Sequence, residues 1–217
     1  LSLVDPAADY FGEILPSGAL RVREKATGER AELPVPPPGG YMARNVLTAV
    51  AAARQCGAAW AAVAAALAAY RPVGMRWAVE DVRGWTAVND GYNANPVSVR
   101  AALAAFAEWP VSGRRFLALG PMLELGGREA AEHEAIGRAV AAGDWAGVAL
   151  VPRQAVAEPA GQALAAGLRA GGWPADKTCA APDAAAAAEW LRARLRPGDA
   201  LLLKASRGVR IERVLES

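Results

Sequence analysis

The residues best suited to chemistry lie in one stretch, residues 89–96, which reads Asn-Asp-Gly-Tyr-Asn-Ala-Asn-Pro. It contains one carboxylate, three amides and a phenol. The apolar run at 85–88 predicts a strand before it, and the pattern of 97–109 predicts a helix after it. Polar side chains at this density in a strand-to-helix loop indicate ligand contact. The alternative is a plain turn, because Asn, Asp, Gly and Pro also form turns for local reasons.

Two further loops follow predicted strands. Residues 120–127 come after the strand 115–119 and include Glu124, which can orient a cation or amine or simply favour the next helix. Residues 204–208, Lys-Ala-Ser-Arg-Gly, come after the most apolar strand, 200–203. Lys, Ser and Arg at a helix start can hold a carboxylate or phosphate, although a solvated charged turn has the same composition. Ligands bind beyond the carboxyl ends of the strands in a doubly wound sheet, so the three loops predict one ligand cleft.

Composition excludes several classes of protein. A net charge of +2 provides no basic field of the kind that nucleic-acid binding needs. Cys56 and Cys179 are far apart, which argues for a cytosolic protein without disulfides or a structural metal site. The only histidine, His133, lies in a predicted helix between two glutamates, which favours a solvated residue over a catalytic one. The Ala-rich run 58–70 is too short to span a bilayer.

Common nucleotide and metal motifs are missing. The chain has no GxxxxGK[ST], no GxGxxG and no HExxH, so it cannot build a complete nucleotide-hydrolysing site alone. It also begins at Leu1 without Met, as if in the middle of a fold, which suggests a fragment.

Two regions differ in their hydrophobic pattern. Strands at 9–15, 19–25 and 31–35 predict a β-meander, followed after a break at 36–40 by helices at 43–55 and 59–70. Residues 71–74 read as a linker. From residue 76 strands and helices alternate, which predicts an α/β fold: a Rossmann-like, mostly parallel sheet with helices on both faces. The predicted strands are 76–82, 85–88, 115–119, 147–151, 177–180 and 200–204, and the predicted helices are 96–108, 128–142, 159–169, 183–195 and 209–215.

Five segments in chain order resemble motifs of the Mur ligase family, of the type that adds D-alanyl-D-alanine to UDP-N-acetylmuramoyl-tripeptide. They are 90–98 (Asp-Gly-Tyr-Asn-Ala-Asn-Pro-Val-Ser), 117–126 with His133 downstream, 197–212, the helix 43–52 and the linker 71–76. The resemblance implies that residues 1–75 are the C-terminal part of a central ATPase domain and that 76–217 are the C-terminal domain. The phosphate loop of such enzymes would then lie upstream of Leu1.

The chemistry implied by the resemblance is ATP-dependent amide formation through an acyl phosphate, in peptidoglycan precursor synthesis in the cytoplasm. The implied partners are UDP-N-acetylmuramoyl-tripeptide and D-Ala-D-Ala, with Mg²⁺ held mainly by groups outside this chain. Two alternatives stay open: a non-catalytic Mur-ligase-like binding module, and a related amide ligase that makes polyglutamate or modifies lipid II.

The resemblance also implies site residues. Asn45 would belong to a helix on the adenine side, Arg76 would reach an ATP phosphate, and Asp90 would accept from the ribose hydroxyls. Asn93 and Asn95 would complete the ATP site and line the cleft. The residues expected to bind substrate are Tyr92, Lys204, Ser206 and Arg207. The chain departs from the family pattern at Arg44, Thr48, Asn89, Met75, Pro121 and Ala205.

Overall fold

The structure, a computed structural model, describes residues 1–36, 40–71, 74–153 and 158–216. The chain divides into two compact units, Leu1–Pro72 and Val73–Ser217. Residues 37–39 of the predicted break and 72–73 of the predicted linker lie outside the described residues.

The first unit is a β-meander followed by two helices, as the sequence predicts. Its antiparallel sheet has the order β1-β2-β3. The strands are β1 Tyr10–Ile14, β2 Leu20–Glu24 and β3 Arg30–Leu33, and the helices are α1 Gly40–Gln55 and α2 Trp60–Ala69. Alternation along β2 buries Leu20 and Val22, which belong to one core with Leu47 and Val50 of α1. This pattern is typical of a sheet with one face covered.

A buried carboxylate joins the sheet and the helix of this unit. Glu24 accepts a hydrogen bond from the Tyr10 hydroxyl at 2.8 Å and one from Arg54 Nε at 2.9 Å. The Tyr10 hydroxyl and Arg54 together hold the pKa of Glu24 below its ordinary value, although burial acts in the opposite direction. Burial is also the main reason why the pKa of Tyr10 is raised. Arg54 therefore fastens α1 to β2 by a charged pair that is largely shielded from water.

The second unit is the predicted α/β fold. Its six-stranded sheet has the order β4-β5-β9-β6-β7-β8, in which β4 pairs antiparallel with β5 and the other pairs are parallel. The strands are β4 Ala78–Val82, β5 Trp85–Asn89, β6 Arg115–Leu119, β7 Gly147–Leu150, β8 Thr178–Ala180 and β9 Ala200–Lys204. The helices are α3 Pro96–Ala107, α4 Glu129–Ala141, α5 Pro159–Ala170, α6 Ala184–Arg192 and α7 Arg213–Glu216.

Both faces of this sheet are covered, which explains the continuous apolar runs in its central strands. One core contains buried residues of α3, α4 and α5, including Phe106, Ile136 and Leu164. The other contains residues of α6 and the C-terminal segment, including Leu191 and Val214. Every residue of β9 is buried because this strand lies inside the sheet, between β5 and β6.

The predicted start of the last helix, at residue 209, is wrong. A single 3-10 turn spans Arg207–Val209, and α7 begins only at Arg213. Arg210 separates them with a φ of 55°, in the left-handed region. An α-helix cannot continue through a residue with that backbone conformation, so the helical pattern is interrupted there.

A buried carboxylate anchors the amino end of β9. Asp199 accepts from Arg114 N at 2.8 Å, Arg114 Nη2 at 2.7 Å and Arg196 N at 2.9 Å. Burial by itself would raise the pKa of Asp199, but the Arg114 side chain and these backbone donors together hold that pKa below its ordinary value of 3.8. The stabilisation from this carboxylate is therefore present above the unfolded-state pKa and is lost as the pH falls through the folded-state pKa.

We accordingly expect Asp199→Asn to lower the free energy of unfolding by about 1.5–3 kcal/mol at pH 7, because the bonds accepted by a charged group are lost. The loss should be smaller at pH 3, where the wild-type carboxylate gains its proton on unfolding. Urea unfolding at the two pH values measures the difference. An equal loss at both would contradict the role of the carboxylate charge.

Candidate functional site

The three polar loops meet at one edge of the second sheet. The register pairs Asn89 with Leu203 and Leu119 with Lys204, so strands β5, β9 and β6 end side by side. Residues far apart in the chain are thereby brought together at the carboxyl ends of parallel strands, where ligands bind in folds of this type.

Lys204 joins the loop after β9 to the loop after β5. Its Nζ lies 2.7 Å from Asp90 Oδ2 and donates to the carbonyl oxygens of Asp90 at 3.1 Å and Asn93 at 2.6 Å. The side chain is only 3 % exposed. An ammonium group has three donors, and all three are engaged here within the chain. Lys204 is therefore fully bonded to groups of this chain. Its expected contact with a substrate carboxylate stays a prediction.

Asp90 is buried at the base of the same loop. Its Oδ1 accepts from Trp77 N at 3.2 Å, while its Oδ2 faces Lys204. Burial raises the pKa of Asp90 above its ordinary value of 3.8, whereas Lys204, the Trp77 amide and Arg76 act in the opposite direction. Both carboxylate oxygens thus already have partners, and any contact with a ribose hydroxyl would use their remaining acceptor capacity.

Ser206 joins all three loops. Its Oγ accepts from Leu123 N at 2.9 Å and donates to the Ala94 carbonyl at 3.3 Å. Its backbone N donates to the Pro121 carbonyl at 3.0 Å. The residue is 3 % exposed, so it acts within the chain as a cross-link, and its expected substrate contact is not tested by this geometry.

The prediction of a solvated histidine is wrong, because His133 is completely buried. Its Nε2 accepts from Met122 N at 2.9 Å, and its Nδ1 lies 2.7 Å from the Glu129 carbonyl oxygen. The two glutamates beside it in sequence suggest an exposed position, which is not where His133 lies. The signal that reveals burial is the helical spacing of His133 with Ile136, Gly137 and Val140, which form the buried face of α4.

The asparagine side chains of the loop after β5 also make the local hydrogen bonds that are expected of a plain turn. Asn89 Oδ1 accepts from Gly91 N at 3.1 Å, and Asn93 Oδ1 accepts from Ala94 N at 2.8 Å. Asn95 caps α3 by accepting from Ser98 N at 2.8 Å, and the Ser98 hydroxyl completes a capping box. The side chains of Asn93 and Asn95 are nevertheless exposed at the cleft edge. A turn and a ligand-contacting surface are therefore compatible here.

Five exposed residues at this edge form a surface that we call the rim: Arg76, Tyr92, Asn93, Asn95 and Arg207. The Arg76 guanidinium lies 4.0 Å from the centre of the Tyr92 ring. Arg207 Nη1 donates to Glu212 Oε1 at 2.9 Å, and the Arg207 side chain is 58 % exposed. Both guanidinium groups are thus oriented by neighbours and retain donors for an anion. Asn45, expected on the adenine side, is exposed on α1 of the other unit.

Sequence reasoning missed a cavity of about 420 Å³, whose lining includes Gly120 and Pro121 of the loop after β6. Its walls come from the carboxyl ends of β6, β7 and β8 and from one side of α5, and they are mainly apolar. Lining residues include Pro121, Val151, Pro152, Ala165 and Pro182, together with the charged Glu158 and Arg169. A cavity of this size and lining suits a small organic molecule. The hint in the sequence is a proline two residues after the end of each of β7 and β8, Pro152 and Pro182.

Glycine at position 120 is required where this cavity meets the loop after β9. A Cβ on Gly120 would lie 2.8 Å from the Ala205 methyl and 2.9 Å from Val209 Cγ1. Ala205 is completely buried against Gly120, so packing accommodates the departure from the family pattern at position 205. The departure at Pro121 also fits, because only its carbonyl is used, as the acceptor for Ser206 N.

Within 1–36, 40–71, 74–153 and 158–216, no three His, Cys, Asp or Glu side chains are grouped so that they could hold a metal ion. Within the same ranges, no helix has the length and apolar character needed to cross a membrane.

Comparison with known proteins identifies the family. The model of the Mur ligase glutamate ligase domain matches residues 75–207. A UDP-N-acetylmuramoyl-tripeptide–D-alanyl-D-alanine ligase from Mycobacterium tuberculosis is 40 % identical over 77 % of this chain and 36 % of its own length. The crystal structure of the MurF ligase from Thermotoga maritima in complex with ADP is 26 % identical, with a TM-score of 0.75 over 97 % of this chain and 46 % of that one. MurF from Acinetobacter baumannii, 22 % identical, shares the fold with a TM-score of 0.79 over 98 % of this chain and 45 % of that one.

Proposed function

This chain belongs to the Mur ligase family, and from that premise we propose that it is part of an ATP-dependent amide ligase of the MurF type. The proposed reaction joins D-alanyl-D-alanine to UDP-N-acetylmuramoyl-tripeptide. The observation that carries the proposal is the meeting of three family motifs at one sheet edge, beside a cavity suited to a small molecule. The chain spans about a third of the length of the M. tuberculosis relative, so the activity is proposed for the whole enzyme.

The two units correspond, in this proposal, to two domains. Residues 1–75 would be the C-terminal part of the central ATPase domain, and 76–217 the C-terminal domain. The chain has no GxxxxGK[ST] motif, so the groups that activate the ATP phosphates, and most ligands of Mg²⁺, would come from another part of the enzyme.

The rim fits the phosphates of a nucleotide. Arg76 is exposed, and its stacking on Tyr92 uses the face of the guanidinium and leaves its N–H edge available. Arg207 has further donors beyond the one that Glu212 accepts. When bound, ATP supplies the phosphoryl group that turns the tripeptide carboxylate into an acyl phosphate. We assign Arg76 to a phosphate and Arg207 to a substrate carboxylate.

The cavity fits the incoming dipeptide. Its apolar walls suit two methyl side chains, and Glu158 and Arg169 on its lining offer one charge of each sign for an ammonium and a carboxylate. We place the acyl group at the same sheet edge, so that the amine of a dipeptide held in the cavity can reach it. Holding the amine and the acyl carbon together lowers the entropic part of the barrier, and apolar walls exclude water that would compete with the amine.

The roles of the two arginines can be separated by kinetics. In the full-length enzyme, Arg76→Ala should raise the KM for ATP about tenfold, and Arg207→Ala should raise the KM for the UDP-linked tripeptide about tenfold, because each variant loses roughly 1.4 kcal/mol of charge-assisted bonding. Each variant should leave the other KM within about twofold. Arg192→Ala, an exposed arginine at the end of α6, is the control for loss of surface charge.

The measurement is phosphate release that depends on ATP, tripeptide and D-Ala-D-Ala together. Folded full-length protein without release above background would overturn the proposed function. Release with both KM values unchanged in both variants would instead overturn the two assignments and leave the function standing.

A further inference from the structure

His133 is a buried residue with both ring nitrogens engaged. Its Nε2 faces the N–H of Met122, so this nitrogen must be without a proton to accept the bond. Its Nδ1 faces the Glu129 carbonyl oxygen, so this nitrogen must have the proton and donate it. The two contacts together select one species, the neutral Nδ1–H tautomer.

The bond from the Met122 amide to His133 is one of the hydrogen bonds that hold the loop 120–125. Leu123 N, the next amide, is held by Ser206 Oγ, so two consecutive amides are anchored by one side chain each. Glu124, the following residue, is exposed and has a φ of 65°, in the left-handed region. A non-glycine residue keeps such a conformation only where its surroundings impose it.

This loop is also a wall of the cavity. Gly120 and Pro121 line the cavity, and the Pro121 carbonyl accepts from Ser206 N. Lys204, two residues before Ser206, holds the loop after β5. Release of the Met122 amide would therefore loosen Gly120 and Pro121 in the cavity wall. Through the bonds of Ser206 to Pro121 and Ala94, it would also loosen the loop after β5.

We propose that His133, as its neutral Nδ1–H tautomer, is a positioning residue that keeps the 120–125 loop in the shape needed to bind the incoming amine substrate. The kinetic part of this inference rests on the proposed ligase function; the structural part does not. His133 acts through the Met122 amide and touches no reacting atom.

The tautomer can be observed directly on this chain. Because His133 is its only histidine, a long-range proton–nitrogen NMR spectrum of the labelled protein contains one imidazole ring. We expect a protonated Nδ1 and an unprotonated Nε2. The opposite tautomer, or a ring exchanging rapidly between the two, would overturn the proposal.

Variants test the positioning. His133→Leu removes the acceptor, whereas His133→Gln can restore one with its side-chain oxygen. Val140→Ala removes buried volume from the same helix about two turns after His133 and leaves the imidazole in place, so it reports general loosening. We expect hydrogen exchange at the Met122 amide to be at least tenfold faster in His133→Leu than in Val140→Ala, with His133→Gln close to wild type. Equal exchange in His133→Leu and Val140→Ala would overturn the proposal, whether or not the enzyme is active.

In the full-length enzyme, His133→Leu should raise the KM for D-Ala-D-Ala about tenfold, while Val140→Ala leaves it unchanged and His133→Gln restores it. An active enzyme in which folded His133→Leu keeps the wild-type KM would overturn the positioning role alone. If His133→Leu does not fold, His133→Gln is compared with Val140→Ala instead. Exchange of the Met122 amide that is as fast in His133→Gln as in Val140→Ala, or faster, would overturn the positioning role. An inactive wild type would overturn the proposed function. The hydrogen-exchange data would still decide whether His133 holds the 120–125 loop in place.

Discussion

Replacing Lys204 with methionine is expected to lower the free energy of unfolding of the second unit by about 3–5 kcal/mol, the cost of breaking a buried ion pair from one side. The substitution keeps the length of the side chain but leaves the Asp90 carboxylate buried without its cation. It also leaves the carbonyls of Asp90 and Asn93 without their donor. Urea unfolding monitored by tryptophan fluorescence measures the change, because Trp77 and Trp145 are buried in this unit.

A double substitution is the matched control. Asp90→Asn removes the carboxylate charge, so Lys204→Met in that background should cost clearly less than it does alone, and the difference measures the coupling of the pair. The penalty of Lys204→Met should also shrink at acid pH, because burial already raises the pKa of Asp90 and a protonated carboxyl needs no cation. A loss below about 1 kcal/mol for the single variant at pH 7, the range of exposed pairs, would contradict a buried pair.

Gly167→Ala is expected to destabilise the same unit by about 1–3 kcal/mol or more, because an added methyl would overpack a helix crossing. Gly137 of α4 and Gly167 of α5 face each other, and a Cβ on Gly167 would overlap the Glu134 carbonyl and lie 2.9 Å from Gly137 Cα. These are backbone atoms, which cannot turn aside as a side chain can. The two helices would have to move apart, at a cost to the core that they share with Ile136 and Leu164.

The same helix offers a control of opposite sign. A Cβ on Gly161 would meet nothing within 4 Å, and its φ is not in the left-handed region. Gly161→Ala should therefore raise the free energy of unfolding by about 0.5–1 kcal/mol through helix propensity. Thermal or urea unfolding of both variants checks the pair. Similar effects of the two substitutions would show that the crossing is not close-packed.

Much of the fold could be read from local pattern. The strands 115–119 and 200–204 are observed at the predicted bounds, and most other elements differ by one to three residues. Asn95, Pro96 and Ser98 signal the start of α3 because a helix start is stabilised by neighbours in sequence. The start of the C-terminal helix was predicted four residues too early, because the left-handed backbone of Arg210 follows from packing that no local pattern records.

The candidate site was likewise predictable in part. The sequence by itself determined which loops carry polar residues, the family to which they belong and the sheet edge where they lie, because hydrophobic period and motif order are local properties. Only the tertiary structure decided what each residue touches. Lys204 and Ser206 bond to partners 111 to 114 positions away, and His133 is buried by a face of α4 that its acidic neighbours obscure. A side chain's partners depend on which segments the sheet brings together, so the same motif residues that suggest ligand contact are found cross-linking the loops that form the site.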